Sequence, residues 1–322
     1  MDIGEFELIR WIRSLTFSLP KKSIVGIGDD ASVIEGGEDF YYLFTTDTLV
    51  EDVHFRWEFT SPYQVGWKAL AVNVSDIAAM GGWPEFSLVT LGIPKNFSFS
   101  FVKEIYSGIF DLSGKVGVEI SGGDIVSSQI FFITLSLLGK VEKDKVILRK
   151  GARIGDNVYV TGKLGSAACA LFFLSKKAHY KGKFPFIKRL LSPLPRLNEA
   201  RKIAQEKIAT SMIDISDGLL LDLSHILEES KVGAEIWQEK IPVDEDMKKI
   251  CLEEGKSFLD FALGGGEDYE LLFTSPFEIE KGEKLPFTVT KIGKIIEDEG
   301  IFIVDKKGVK NKVKPQGWDH FH

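Results

Sequence analysis

Hydrophobic periodicity divides the chain into apolar runs of strand length and longer stretches of helical spacing. Phe6, Ile9 and Ile12 recur three apart across residues 5–13 and predict a short amphipathic helix that covers a core. Ser23 to Ile27 make a short strand, and Tyr41 to Phe44 make the buried end of another that gives way to Thr45. Ser61 and Pro62 supply a capping hydroxyl and a first-turn proline for a helix that runs to Met80, where Gly81 and Gly82 stop it. Its residues Val65, Ala69, Val72 and Ile77 lie broadly on one face, and Asp76 stands at its far end. Pro84 to Pro94, Val118 to Ile125 and Ile130 to Val141 read as strands, with a helix from Ser100, its cap, to Val116.

The second half opens with a strand over Val158 to Thr161, and Ser166 to Ser175 is so nearly apolar throughout that its helix must be buried. A helical pattern over Pro195 to Lys207, a strand over Ala209 to Ile215 and a helix over Leu219 to Ser230 follow. Phe258 to Leu263 precede three glycines, Gly264 to Gly266, and then a strand over Leu271 to Thr274. Strands near Phe287 to Ile295 and Ile301 to Val304 lead to the tail Pro315 to His322, whose two aromatics and proline predict a docked end. Between the halves, Lys140 to Ala152 is charged and apolar by turns. A boundary near 145–155 gives domains 1–148 and 149–322.

Composition narrows the classes. With 322 residues, 44% hydrophobic and 27% charged, the chain has the balance of a globular protein with sizeable cores. A formal charge of −7 disfavours nonspecific attraction to nucleic acid or anionic lipid, so a small anionic substrate has to meet local Arg, Lys or metal. Cys169 and Cys251 are far apart and in no C-x-x-C pair, which favours a reducing cytoplasm over a disulfide framework or zinc site. The opening Met1-Asp2-Ile3-Gly4-Glu5-Phe6 is acidic where a signal peptide is basic. No apolar run approaches the roughly 18 residues of a membrane span, and the expected location is cytoplasmic.

The polar punctuation carries the chemistry. Thr45, Thr46 and Asp47 present three hard oxygen donors within three residues, the kind Mg2+ selects, and His54 follows in the same stretch. Acidic clusters recur after apolar runs at Gly28-Asp29-Asp30, Asn73-Val74-Ser75-Asp76, Ser121-Gly122-Gly123-Asp124 and Asp214-Ile215-Ser216-Asp217-Gly218. Such repetition points to one converging cation site. Asp76 near a helix C-terminus meets an unfavourable dipole, which a cation explains better than helix stability does. Ser216 or Asp217 has an ordinary reading as the N-cap of the next helix, whereas Asp214, still within its strand, has none. Gly26 to Ala31 has the spacing of a dinucleotide fingerprint, but two aspartates inside the turn repel a bare pyrophosphate unless a cation bridges them. No Walker A sequence appears, and Arg149 and Arg153 are the guanidinium candidates for phosphate oxygens.

Taken in order, Gly28-Asp29-Asp30, Thr45-Thr46-Asp47 with His54, Asn73-Val74-Ser75-Asp76, Gly122-Gly123-Asp124, Asp214 to Gly218, Gly265-Gly266-Glu267-Asp268-Tyr269 and Gly317-Trp318 cover almost the whole chain. This series resembles the thiamine-monophosphate kinase family, within the superfamily of aminoimidazole-ribonucleotide and selenophosphate synthetases. The resemblance implies an α/β fold of two domains, the N-terminal half α+β in character and pairing through its sheet in a homodimer, with the site in the cleft between domains. It implies that several Mg2+ ions are held by Asp30, Thr45, Thr46, Asp47, Asp76, Asp124, Asp214 and Asp217. It places ATP against Tyr106, Gly123, Asp124, Arg149 and Ser216, and thiamine monophosphate against His54, Glu267 and Trp318. Lys150 stands where an acidic residue is common in the family, which leaves open whether Arg149 or Arg153 holds the phosphates.

A phosphate monoester acceptor is already largely deprotonated at neutral pH, its second pKa being about 6, so the expected catalysis needs no side-chain base. Positioning and charge neutralisation by Mg2+ would carry the γ-phosphate of ATP to the acceptor. Trp318 suits a cationic thiazolium ring, with a tail-anchoring aromatic as its plain alternative. Three rivals stand beside this reading: a superfamily enzyme with another acceptor, an NAD-dependent oxidoreductase resting on Gly26 to Ala31, and a noncatalytic metal-binding or scaffold protein.

Overall fold

The computed structural model describes residues 4–176, 184–279 and 285–321. The opening residues Met1 to Ile3, read above as acidic, and His322 of the tail lie outside the described residues. Helix α1 (Glu5–Leu15) leads into a six-stranded sheet of β1 (Ser23–Val25), β2 (Ser32–Glu35), β3 (Phe40–Val50), β4 (Trp83–Ile93), β5 (Glu119–Ser127) and β6 (Phe132–Glu142). Their order is β1-β2-β3-β6-β4-β5, antiparallel except for the β4–β5 pair. Helices α2 (Pro62–Ala79) and α3 (Phe99–Val116) cover one face. Leu43, Leu49, Val89, Leu91, Ile133, Leu135 and Leu137 of the sheet close over Leu70, Ile77, Ile105 and Ile109 of these helices as one core.

Local chemistry sets α2. Ser61 Oγ accepts from the Gln64 N–H while Gln64 Oε1 accepts from the Ser61 N–H, a reciprocal cap with Pro62 in the first turn. The two helices cross closely because each lacks a side chain at the contact: a Cβ on Gly66 would meet Ile105 O at 1.9 Å, and one on Gly108 would meet Tyr63 O at 1.9 Å. The α3 cap is Ser98, which accepts from the Phe101 N–H, two residues before the expected Ser100.

The second unit contains β7 (Asn157–Thr161), α4 (Ser166–Lys176), α5 (Ile187–Leu191), α6 (Leu197–Gln205), β8 (Ser211–Asp214) and α7 (Leu219–Ser230). It continues with β9 (Gly233–Trp237), α8 (Glu245–Glu253), α9 (Phe258–Gly264), β10 (Leu271–Ser275), β11 (Val289–Ile296), β12 (Gly300–Val304) and β13 (Lys310–Val313). Its sheet runs β13-β12-β9-β11-β7-β10-β8, antiparallel except for β12–β9. The mixed α/β, two-unit expectation holds, with mostly antiparallel ladders. Ala78 of α2 packs with Tyr159, Ile203, Ala204 and Met212 of the second unit, so α2 belongs to both cores. That shared helix fixes the cleft between the units.

One expectation needs correction. The strand begun at Tyr41 does not end at Phe44; β3 continues to Val50, paired residue by residue with β6 from Phe40↔Glu142 to Val50↔Phe132. Polar residues pair in a ladder as readily as apolar ones when their side chains reach a solvated cleft, so polarity did not mark the end of the strand.

Candidate active site

Because β3 continues, its two-residue alternation splits the threonine–aspartate run. Thr45 and Asp47 turn toward α2, where Thr45 Oγ1 donates to Asp76 Oδ2 at 2.6 Å and Asp47 is hydrogen-bonded to the Asp76 carboxyl. Thr46 lies on the opposite face, with its hydroxyl 3.1 Å from both Leu135 O and Ser136 Oγ. The second unit brings Asp214 to the same place from the end of β8, its Oδ2 accepting from Ser75 Oγ of α2 at 2.5 Å. The loop before β2 adds Asp29 and Asp30. The Arg149 guanidinium donates to Asp30 Oδ1 through Nη2 at 2.5 Å and Nε at 3.1 Å, while its backbone N–H reaches Asp29. Arg153 is exposed and joins Asp156 through its backbone N–H.

These carboxyls are buried against one another, and their acidities show the strain. Burial, aided by the Asp30 charge, pushes Asp214 up to about 8. Burial and Asp30 likewise push Asp29 up to about 7, and burial with Glu5 pushes Asp217 up to about 7. Asp76 rises well above the carboxylate range through burial and the charges of Asp47, Asp214 and Asp30. Protons occupy positions that counter-charge would otherwise fill.

Among the described residues no three His, Cys, Asp or Glu side chains are already arranged around one point. The donor set nevertheless fits a hard divalent cation: anionic oxygens and a hydroxyl, with Asp30 Oδ2 buried and lacking any hydrogen-bond partner. An orphaned anionic oxygen in a dry site is a position a cation satisfies.

Asp29, Asp30, Thr45, Thr46, Asp47, Asp76, Arg149, Asp214 and Asp217 line a cleft of about 1540 Å³, whose other wall carries His54, Glu267, Gly317, Trp318 and His320; Arg153 lies outside it. His54 Nδ1 accepts from the Val50 N–H at 3.0 Å, which leaves the ring proton on Nε2. Burial, with the nearby charges of His320 and Lys68, lowers the His54 pKa to about 4. Trp318 is 48% exposed, donates from Nε1 to His320 Nδ1 at 3.4 Å, and is tied by its backbone N–H to Asp217 O at 3.0 Å. Gly317 permits that seat, since a Cβ there would meet Leu221 Cβ at 2.6 Å and Asp217 O at 2.8 Å. The docked tail is also held by Asp319, which accepts from the Glu5 N–H.

Ser216 and Asp217 line the cleft, but neither caps α7: the N-cap is Gly218, with no side-chain bond, and Asp222 accepts the N–H groups of Asp217 and Gly218. Asp222 was not singled out from the sequence, although a lone carboxylate among Leu219, Leu220, Leu221 and Leu223 is a readable signal. Ser75, named only as a member of its cluster, donates to Asp214, and Lys68 carries no sign in the sequence. Tyr106, Gly123 and Asp124 do not line the cleft. Tyr106 is half-buried beside Phe110 on α3, and Asp124 is exposed on the edge strand β5.

Comparison with known proteins places this geometry. Residues 28–141 match the family described as AIR synthase related protein, N-terminal domain, and residues 153–306 match its C-terminal domain. The thiamine-monophosphate kinase of Aquifex aeolicus (strain VF5) is 38% identical over 323 residues, 99% of each chain. That of Bacillus subtilis (strain 168) is 36% identical over 330 residues, 99% of this chain and 100% of that one. The chain belongs to the thiamine-monophosphate kinase family. A solved family structure described as "AaThiL complexed with AMPPCP and TMP" superposes with a TM-score of 0.88 at 38% identity, covering 100% of this chain and 99% of that one. No helix among the described residues is long and apolar enough to cross a membrane.

Proposed function

We propose that this chain phosphorylates thiamine monophosphate to thiamine diphosphate, using ATP and Mg2+. The observation that carries the reading is the meeting of Asp30, Asp47 and Asp76 with Asp214 of the other unit, in one cleft whose far wall presents Trp318 and His54. An acceptor phosphate oxygen attacks the γ-phosphorus as the bond to the β–γ bridging oxygen breaks, and ADP leaves with that oxygen. Asp30, Thr45, Asp47, Asp76, Asp214 and Asp217 would hold Mg2+, which when bound would supply the charge that lets two polyanions approach. Arg149 offers its guanidinium to ATP phosphate oxygens, and Ser216 lines the same cleft. His54, with its proton on Nε2, donates to the acceptor while Trp318 offers its exposed indole face to the thiazolium. No residue has to remove a proton.

The remaining assigned residues point to a second copy. Thr48 pairs with Thr134, Thr134 with Thr90, and Thr90 with Asp124, so Asp124 lies three strands from β3. At a strand spacing of about 4.8 Å that is roughly 14 Å, too far for one chain to bring Asp124 to Thr46. The row lies on the face away from the helices, which also exposes Tyr42, Phe44, Phe86 and Leu88. A homodimer joining these faces would cover that apolar surface and carry Asp124 and its neighbour Gly123 toward the partner's β3. We set the domain boundary at 148/149, between β6 and β7, and place the enzyme in the cytoplasm, where the buried free thiols of Cys169 and Cys251 fit a reducing environment.

Two measurements test this. ATP consumption is followed with thiamine monophosphate and with a panel of other phosphorylated acceptors, with and without Mg2+. Turnover confined to thiamine monophosphate and the divalent cation is expected, and preference for another acceptor overturns the substrate. Coexpressed Asp47→Asn and Asp124→Asn chains are then compared with each variant alone. Mixed dimers regain one intact site if the residues act across the interface, and remain inactive if they act within one chain.

A further inference from the structure

We infer that Lys68, a residue outside the cleft lining, is a positioning residue for the acceptor half of the site, setting Glu267 and the His54 turn from behind. This rests on the functional reading above. The Lys68 side chain is only 3% exposed, and lysine is almost never buried so deeply without a partner. Its Nζ donates to Glu267 Oε1 and to His54 O, the latter at 3.2 Å. One ammonium therefore holds two of the three wall residues assigned to the acceptor, one from each unit.

The placement follows from α2. Lys68, Val72 and Asp76 stand at i, i+4 and i+8 on one helix face, about 12 Å from end to end. The same face thus supplies a carboxylate to the cation side and an ammonium to the acceptor wall. Val72 and Asp76 reach the cleft, and Lys68 stops behind Glu267.

Glu267 needs such a hold. Its φ is 67°, a left-handed conformation uncommon for a residue with a Cβ, and Tyr269 at φ 49° repeats it. Backbone bonds from Glu267 N–H to Ser216 O at 2.7 Å and from Tyr269 N–H to Ile215 O at 2.9 Å fix the loop against the nucleotide side. Gly266 is pressed against the same loop, since a Cβ there would meet Ser216 O at 2.4 Å. The backbone is set by those bonds, while the direction of the Glu267 carboxylate is set by Lys68. Loss of Lys68 would free the carboxylate to swing and the His54 turn to relax, with the cation cluster untouched.

The test is Lys68→Met, which keeps length and apolar bulk and removes the charge. The KM for thiamine monophosphate is expected to rise by roughly 10- to 100-fold, because misplacing a positioning group by about 1 Å can cost that much. The KM for ATP stays within about threefold. The substitution is repeated in a Glu267→Gln background, which also serves if the single variant does not fold, because it leaves no unpaired carboxylate. There Lys68→Met should cost far less than in the wild type if Lys68 acts mainly through Glu267. An unchanged acceptor KM, equal losses for both substrates, or a full additional loss in the Glu267→Gln background overturns the inference. A wild-type enzyme that does not phosphorylate thiamine monophosphate overturns the functional reading instead.

Discussion

Asp214→Asn should make the divalent-free protein more stable while making the enzyme nearly inactive. Asp214 is held at about 8 in the folded protein against an ordinary 3.8. A carboxyl whose folded pKa is raised contributes full stability below the unfolded value and loses it as pH rises through the folded one. At pH 7 the folded protein must keep a proton that the unfolded chain releases, which at 1.36 kcal/mol per pH unit costs about 4 kcal/mol; at pH 5 the cost is less than half of that. The amide carries no such cost, but it weakens the bond from Ser75 Oγ by about 1 kcal/mol. The net gain is about 3 kcal/mol at pH 7, or roughly 6 to 12 °C in Tm, and only about 1 to 2 °C at pH 5. Scanning calorimetry of both proteins in chelator at the two pH values measures it. Saturating Mg2+ should then stabilise the wild type more than the variant, and turnover of the variant should fall by at least about 100-fold. A variant no more stable at pH 7, or one whose advantage does not shrink on acidification, would refute the account of Asp214 as a carboxyl held protonated by burial and by its charged neighbours.

Other outcomes follow from the same geometry. Trp318→Leu should weaken thiamine monophosphate by about 0.5 to 2 kcal/mol, roughly 2- to 30-fold, and leave ATP affinity unchanged. Since the indole is 48% exposed, Tm should hardly move; a fall in Tm with equal loss of both ligands would make it a tail anchor. His54→Gln should raise the acceptor KM without altering the pH profile between 6 and 8, because a histidine held near 4 is already neutral there. Loss of an ionisation in that window would assign His54 to proton transfer. Glu270→Gln removes the carboxylate that receives Arg196 Nε and Nη2, both at 2.6 Å, and Arg189 Nη1 at 3.0 Å, and should lower stability by about 3 kcal/mol in denaturant titration. An unchanged midpoint would show that the partly exposed guanidiniums rehydrate without loss.

The sequence made the acidic clusters legible because an aspartate at the end of a strand or at a helix C-terminus has no simple structural use, and repetition of that misfit is itself a signal. Asp76 and Asp214 were found this way. Residues whose role depends on a distant partner gave no such sign. Lys68 reads as an ordinary helical lysine until Glu267, 199 residues on, stands beside it. Cys169 and Cys251 looked unrelated, yet their sulfurs lie 3.7 Å apart between α4 and α8. Strands β2, β9 and β13 were not anticipated, because stretches of three to five residues with mixed polarity carry too little periodicity to separate from loops. The end of β3 was misplaced for a related reason: polarity reports what a side chain faces, not whether its backbone is paired.

That misplaced end changes how the candidate site is understood. If the strand stopped at Phe44, Thr45, Thr46 and Asp47 would fan out from one turn and serve one ion. Because the ladder with β6 continues, Thr45 and Asp47 face Asp76, while Thr46 faces Ser136 on the other side of the sheet. Donors on opposite faces of one strand cannot share a single cation cage within one chain. If all three are ligands, the Thr45 and Asp47 side is completed by Asp214 of the second unit, and the Thr46 side needs oxygens from beyond the exposed face. Asp124 lies on that face but three strands away, so a second copy is the simplest source of it. On this reasoning dimer dissociation should abolish the ligands of one face and spare the other: a monomer made by placing charge at Phe44 and Leu88 would lose turnover, yet keep the Mg2+-dependent rise in Tm that Asp76 and Asp214 confer. A monomer with full turnover would show that Thr46 and Asp124 are not ligands at all.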